Sequence, residues 1–518
     1  MIICVGLLIL FLLAGFHVRE IRLSGKTGLT DLAVCLGTSL ATVSFFDLCP
    51  YNNGYYVLDE SVFIYIARMM RRGWVPYRDM FDHKGPYLFF FEFIGDLGGD
   101  TGLWILELIF AFITSLFILK IARLVTDNGV SGYLSAFSIL FIGGINIFEG
   151  GNYTEFWALP FICHSLFIFS RFLKTKEYRI ADILFIGIDF SVVFLLQPNL
   201  VNVWIVFIPV TIISLIANKR AKEIFKCALF ILLGIIITLI PVLVYFGING
   251  ALDDLFECYW RFNFIYSGTD LTIKNLFKVM LFLAGEILPV TILFILSFIP
   301  GIRNKLYRFN LLFVIISFIT SSISGRDYSH YAIALLPCFI IPLAILFDSI
   351  YKVDLKIGKT VAVTACMAAS IGTVIYVFAN TALEMINNPK SEPAIVAYLK
   401  NTTSPDDDVL VVNGYGIFNL LSDRYTKQKF FYQHPLEVYS VYYDEFFNSI
   451  SASKPDVIVF VESRDTFIKQ KTDAEEHNVK RYVVDIGSFC EEPSSSYVLE
   501  DNGTFFAYRL RSSSSTLP

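Results

Sequence analysis

Charge is what this 518-residue sequence has little of. Asp, Glu, Lys and Arg make up 17% of it, against about 25% in an ordinary soluble domain. That shortage excludes a soluble globular enzyme. The net charge of −5 says little, because the distribution matters more than the sum; no nucleic-acid partner is expected. Metal-ligand spacing is missing as well. The nine cysteines (Cys4, Cys35, Cys49, Cys163, Cys227, Cys258, Cys338, Cys366 and Cys490) contain no CxxC pair, which indicates neither a zinc site nor a disulfide framework. Most lie in apolar runs, where cysteine is a small packing residue. The N-terminal stretch MIICVGLLILFLLAGF lacks the basic leader and small-residue cleavage site of a signal peptide, and reads as a membrane span.

Apolar length is what the sequence has in abundance. It is 55% hydrophobic, holds 51 Phe and has a mean hydropathy of +0.62. Runs of near-spanning length fall at about 2–17, 29–48, 102–124, 129–148, 155–173, 180–196, 199–217, 225–247, 276–299, 309–325, 330–350 and 360–380. The expected fold is therefore an α-helical polytopic membrane protein of about twelve spans. Basic residues crowd alternate short connections: Arg19, Arg22 and Lys26; Arg171, Lys174, Lys176 and Arg179; Lys219, Arg220, Lys222 and Lys226. The positive-inside rule puts these in the cytoplasm. The loop at 49–101, the segment EGGNYTE, the loop NGALDDLFECYWRFNFIYSG and everything after about 385 then lie outside.

Residues 1–385 are read as the membrane domain and 386–518 as a small extracytoplasmic α/β domain with a disordered tail. Strands are expected in DDDVLVVNG, KPDVIVFVE and RYVVDIG, a helix in VYYDEFFNSISA, and a hairpin about Asp501-Asn502-Gly503. No Gly-rich phosphate loop and no usefully spaced carboxylate pair occurs there.

The charged residues that do occur gather in the first outer loop. YYVLDESVF holds Asp59 and Glu60; RDMFDHKGPY holds Arg78, Asp79, Asp82, His83 and Lys84. Between them, Phe63, Ile66, Ala67 and Met70 fall on one helical face and Arg68, Arg71 and Arg72 on another, the pattern of a helix lying in a membrane interface. Charge beside a bilayer is costly to desolvate, so such a cluster is a functional candidate. A carboxylate can accept the proton of an attacking hydroxyl, and a lysine can hold a departing phosphate. Loop solvation would also account for two acidic clusters 23 residues apart.

The stretch VLDESVFIYIARMMRRGWVPYRDMFDHKGPYLFFFEFIG resembles the first outer loop of GT-C superfamily glycosyltransferases. It is most similar to bacterial relatives of the protein O-mannosyltransferases and of lipid A aminoarabinose transferase. GGNYTEFWALPF, LLQPNLV and GRDYSHYAIALLP resemble further segments of the same group. The resemblance implies a sugar donor carried on polyprenyl phosphate and a protein, lipid or wall-polymer acceptor on the extracytoplasmic face, with inversion at the anomeric carbon. It implies Asp59 as base, with Glu60 and Asp82 beside it, and Glu155 near the acceptor. Lys84 would hold the donor phosphate, with His83, Arg326 and His330 nearby. A monophosphate leaving group can be met by such fixed cations, so no metal and no cofactor are expected.

Two features depart from that pattern. Two spans precede the acidic loop where the family usually has one. Asp189, Glu107 and Glu286 fall inside expected spans, where an acid often marks an ion path. A lipid-linked glycan transporter or flippase of the cell envelope is therefore the alternative. It would carry its polar groups at the midplane of broken helices, whereas this chain carries them mainly in outer loops.

Overall fold

The computed structural model describes residues 28–52, 56, 58–126, 129–268, 272–352, 359–387, 392–477, 481–492 and 494–511. The expected span at 2–17, its basic loop and the SSSST terminus lie outside them. The chain folds into two compact units. One comprises residues 1–54, 84–248 and 267–388; the other comprises 55–83, 249–266 and 389–518.

The first unit is helical, as long apolar runs must be where no water can satisfy the backbone. Gly99–Val125, Thr154–Thr175, Lys222–Ile248, Ser329–Lys352 and Thr364–Leu383 are each long and apolar enough to cross a membrane. Leu29–Val43, Gly129–Ile142 and Asn202–Ala217 are shorter apolar helices, and Ile180–Phe194 is another. Lys222–Ile248 exposes Leu229, Leu232, Leu233, Ile236, Ile240 and Leu243, a surface suited to lipid. Thr154–Thr175 is instead largely buried.

The run at 276–299, expected as one span, is two helices, Ile273–Glu286 and Leu288–Leu296, meeting at 92°. Pro289 stands in the first turn of the second helix. A proline there has no N–H to continue the preceding ladder, and Thr291 Oγ1 donates instead to the Ala284 carbonyl at 2.9 Å. Glu286, the last residue of the first helix, is half-buried at that bend. Asp189 is also accounted for. It points into the bundle, 2.8 Å from His164 Nδ1, and accepts from Ser165 Oγ at 2.9 Å. The pairing ties Ile180–Phe194 to Thr154–Thr175.

The second unit holds a four-stranded sheet of order β1-β2-β4-β3, with β1 Val409–Val412, β2 Val457–Phe460, β3 Tyr497–Asp501 and β4 Phe506–Leu510. β1 and β2 are parallel and every residue in them is buried, as expected of strands covered on both faces. β3 and β4 form the expected hairpin, in which Gly503 takes φ +81 and its N–H donates to Asp501 Oδ1. The helix expected in VYYDEFFNSISA is Ser440–Ala452. RYVVDIG, expected as a strand, is the start of a helix, Tyr482–Glu491. Its buried residues are Val483, Val484, Ile486, Gly487 and Cys490; all but Val484 repeat at three to four residues, and that period outweighs the strand preference of two adjacent valines.

Leu58–Arg71, expected to lie apolar-side down on a membrane surface, is packed within protein. All of 60–67 is buried, Tyr65 included. The Tyr65 ring stacks on Phe431 at 3.9 Å and its hydroxyl lies 3.3 Å from the Thr426 backbone. Of the three arginines opposite, Arg72 pairs with Asp423 at 2.8 Å and covers the Tyr425 ring.

Candidate active site

The acidic residues at 59–82 all fall within the second unit. Asp59 is half-buried in the first turn of Leu58–Arg71, where the helix dipole favours a carboxylate. Glu60 is turned about 100° further round the axis and is fully buried. After the helix the chain turns sharply: the Val75 N–H donates to Asp79 Oδ2 at 2.8 Å, and Arg78 clamps both oxygens of Asp79 at 2.8 Å. The remaining nitrogen of Arg78 donates to the Asn249 carbonyl. These two charges are thus spent on shaping the loop. The Phe81 N–H then donates to the Lys429 carbonyl at 2.8 Å, which fixes Asp82 next to it.

Asp82 is 2% exposed and accepts a long hydrogen bond, 3.4 Å, from the Tyr432 hydroxyl. Burial raises the Tyr432 phenol well above its ordinary pKa, and the charges of Asp82 and then Asp59 raise it further. His83 Nδ1 stands 4.0 Å from Asp82, and its ring lies against Phe262 and Tyr266.

The other expected residues belong to the first unit. Lys84 is half-buried and its neighbour is held tightly: Gly85 N–H donates to the Leu196 carbonyl at 2.9 Å, and Tyr87 N–H to that of Leu195. A Cβ on Gly85 would stand 1.9 Å from the Leu195 oxygen, so only glycine allows this approach. HKGP and LLQP, two separately recognised segments, are in this way bonded to each other.

EGGNYTE forms a turn of four consecutive positive-φ residues, Glu149, Gly150, Gly151 and Asn152. Asn152 anchors it. Its N–H donates to Glu107 at 2.7 Å, its amide nitrogen to Glu92 at 3.2 Å, and its amide oxygen accepts from Trp157 at 3.0 Å. This is the role of Glu107, which sequence alone left open. Glu149 Oε2 meets His330 Nδ1 at 3.1 Å, and the His330 ring is stacked on Tyr153 with centroids 4.3 Å apart. Burial would raise the Glu149 carboxyl, but the hydrogen bond and charge of His330 hold it below the usual range. Glu155 is 1% exposed, and neither of its oxygens has a hydrogen-bond partner among the described residues. Arg326 is half-buried three residues before Ser329, in the connection that leads to His330.

Of the eight residues expected at the site, the second unit thus contains Asp59, Glu60, Asp82 and His83, and the first contains Lys84, Glu155, Arg326 and His330. Tyr432 and Glu149 were not anticipated. The run Glu-Gly-Gly-Asn signalled the turn that carries Glu149; nothing local marked Tyr432.

Comparison with known proteins follows from this geometry. The family described as "Putative competence-induced protein Ccs4 N-terminal domain" matches residues 23–366. The crystal structure of ArnT from Cupriavidus metallidurans bound to undecaprenyl phosphate is similar over 94% of this chain and 99% of its own, with a TM-score of 0.62 and 13% identity. Its apo state is similar over 94% and 98%, with a TM-score of 0.61 and 13% identity. No curated protein matches in sequence. At this identity the likeness is one of fold alone.

Proposed function

We propose that this chain, which belongs to the Ccs4 N-terminal domain family, is a membrane glycosyltransferase that takes its sugar from a polyprenyl-phosphate donor. The observation that carries the reading is the hydrogen bond from the buried Tyr432 hydroxyl to Asp82, with His83 and Lys84 following directly in sequence. ArnT of the same fold has been solved with undecaprenyl phosphate, which supports a polyprenyl phosphate as the lipid carrier here.

In this reading Asp59 takes the proton of the acceptor hydroxyl. The acceptor oxygen bonds to the anomeric carbon as the bond from that carbon to the phosphate oxygen breaks, with inversion. Polyprenyl phosphate leaves, and its growing negative charge is met by Lys84 with His83, Arg326 and His330. Asp82 and Glu60 support the base. Glu155, buried and unpartnered among the described residues, faces the acceptor. The reaction runs on the extracytoplasmic side.

The second reading, a lipid-linked glycan transporter, draws support from the broken helix pair at Ile287, since transporters bind cargo at such breaks. Bond cleavage separates the two. The purified full-length protein, given a radiolabelled polyprenyl-phosphate sugar and membrane extract as acceptor source, is expected to release polyprenyl phosphate. Asp59→Asn is expected to lose about 10²- to 10⁴-fold in rate with membrane insertion intact. Undiminished turnover in that variant rejects the assignment of the base. Movement of intact donor across vesicles, without release, favours the transporter.

A further inference from the structure

The first unit encloses a small cleft beside the EGGNYTE turn, with a volume of about 70 Å³. Its walls are apolar rings: Phe45, Phe46, Phe141 and Phe148. Phe46 and Phe148 are buried and meet edge to face at 5.5 Å. Phe45 and Phe141 are only half-buried, their rings tilted by 42° with centroids 6.2 Å apart, so these two are within reach of a ligand. Glu149 and Gly150 lie at the rim. The Glu149 side chain is 35% exposed even though it bonds His330. The turn is fixed in place: the Asp47 N–H donates to the Gly150 carbonyl at 2.7 Å, and a Cβ on Gly150 would stand 2.4 Å from Asp47 Oδ2. That close approach sets a second, half-buried carboxylate beside the cleft.

Size narrows the occupant. Sites for whole small molecules run to roughly 300 Å³ or more, while one water takes about 30 Å³. A cleft of about 70 Å³ therefore holds the end of a molecule, not a sugar ring or a nucleotide. Charge narrows it further. The Glu149 carboxylate repels a phosphate or another acid, and an apolar group would strip it of water and return nothing. An ammonium is met on both counts. Aromatic faces attract a cation, and Glu149, held below the usual carboxylate range by His330, is ionised to pair with it. Position supplies the rest. Ile142 and Ile145 beside the cleft are exposed, at the end of the apolar helix Gly129–Ile142, where a polytopic bundle meets the headgroup layer. The charged end of a molecule that arrives from the bilayer is a lipid headgroup.

We propose that this cleft binds the ammonium headgroup of a zwitterionic phospholipid, with Phe45 and Phe141 as the cation-binding faces and Glu149 as the counter-charge. The site is independent of the transferase reading: it holds a lipid at the edge of the bundle whichever reaction the chain carries out, and its test needs no turnover.

The test compares lipids that share a phosphodiester and acyl chains and differ only in the headgroup. Full-length protein in mild detergent is titrated with phosphatidylcholine, phosphatidylethanolamine and phosphatidylglycerol, and bound lipid is counted by native mass spectrometry. Wild type is expected to hold at least one of the two ammonium lipids about tenfold more tightly than phosphatidylglycerol. Glu149→Gln removes the charge at nearly constant shape, and Phe141→Leu removes an aromatic face while keeping apolar bulk. Each is expected to cut that preference to about threefold or less. Unchanged thermal unfolding shows that the loss is of the site and not of the fold; if Glu149→Gln unfolds for want of its bond to His330, Phe141→Leu decides alone. Tetramethylammonium chloride is expected to displace the ammonium lipid, and sodium chloride at equal ionic strength is not. Equal retention of all three lipids overturns the proposal, as does a preference that survives Phe141→Leu or a folded Glu149→Gln. Binding of tetramethylammonium without any preference among the lipids overturns the lipid headgroup as the occupant.

Discussion

The Tyr432 hydroxyl donates to the Asp82 carboxylate across 3.4 Å, joining two residues 350 positions apart. The bond is long for O–H···O, and its loss has a defined sign. Without that donor the Asp82 carboxylate is less stabilised and its pKa rises. In Tyr432→Phe the acid limb of the rate profile is therefore expected to move to higher pH, with the maximal rate down about 3- to 30-fold and the donor KM unchanged. A variant that lowers the rate equally at all pH values would show that Tyr432 only fills space.

Lys84 offers a prediction of a different form. If its ammonium meets the donor phosphate, Lys84→Met is expected to raise the donor KM and lower the rate, with a combined loss of about 10- to 100-fold. Lys84→Arg keeps the charge but not the compact geometry, and is expected to recover part of it. Steady-state kinetics on the polyprenyl-phosphate sugar separates these variants. Equal activity in Lys84→Met and wild type would remove Lys84 from the phosphate site.

Glu92 lies on the loop helix Pro86–Asp96, and burial followed by the nearby Asp96 charge pushes its carboxyl up to about 8. It therefore carries a proton at neutral pH when folded and none when unfolded. Its folded pKa lies above the ordinary 4.5, so the stability it confers in its protonated form is full below about 4.5 and is lost as pH rises towards about 8. Glu92→Gln keeps a neutral group of the same shape against Asn152. The variant is expected to flatten the fall in melting temperature between pH 5 and 8 (about the span between those values) and to be at least as stable as wild type at the upper end. An unchanged fall in the variant would mean that Glu92 is already ionised in the fold.

Much of this architecture was legible in the sequence because it is encoded locally. Apolar runs mark the helices of the first unit, and Asp501-Asn502-Gly503 marks the hairpin. The 92° break at Ile287 was also written locally, in Pro289, but continuous hydropathy across it hid the bend. Tyr482–Glu491 was misread because Val483 and Val484 favour a strand, while the burial period that decides the matter depends on what packs over it. The site was half legible. Asp59, Asp82, His83 and Lys84 stood out as charge in an apolar chain. What fixes Asp82, the backbone bond from Phe81 to Lys429 and the hydroxyl of Tyr432, depends on contacts across hundreds of residues that no spacing records. Arg78 and Asp79 stood in the same charged cluster and hold its turn.

The α/β part of the second unit carries its own acid sensitivity. Glu491, at the end of Tyr482–Glu491, is partly buried, which alone would raise its carboxyl. Lys471 at 2.8 Å, Arg464 and the Tyr508 hydroxyl at 2.9 Å more than offset this and bring it down to about 2. A carboxyl whose folded pKa is depressed contributes stability that is present above the ordinary value of 4.5 and lost as pH falls through the folded value. Acid unfolding of this part is therefore expected to begin below about pH 4.5 and to steepen towards pH 2. Glu491→Gln leaves the Arg464 guanidinium, stacked over Phe467 and Phe506, without its carboxylate. The variant is expected to lose stability at pH 7 while showing a shallower dependence on acid, because the group that titrated is gone. Tyrosine fluorescence of the full-length protein in nanodiscs, followed from pH 7 to pH 2, reads both effects. A variant with the wild-type acid profile would place the titrating group elsewhere.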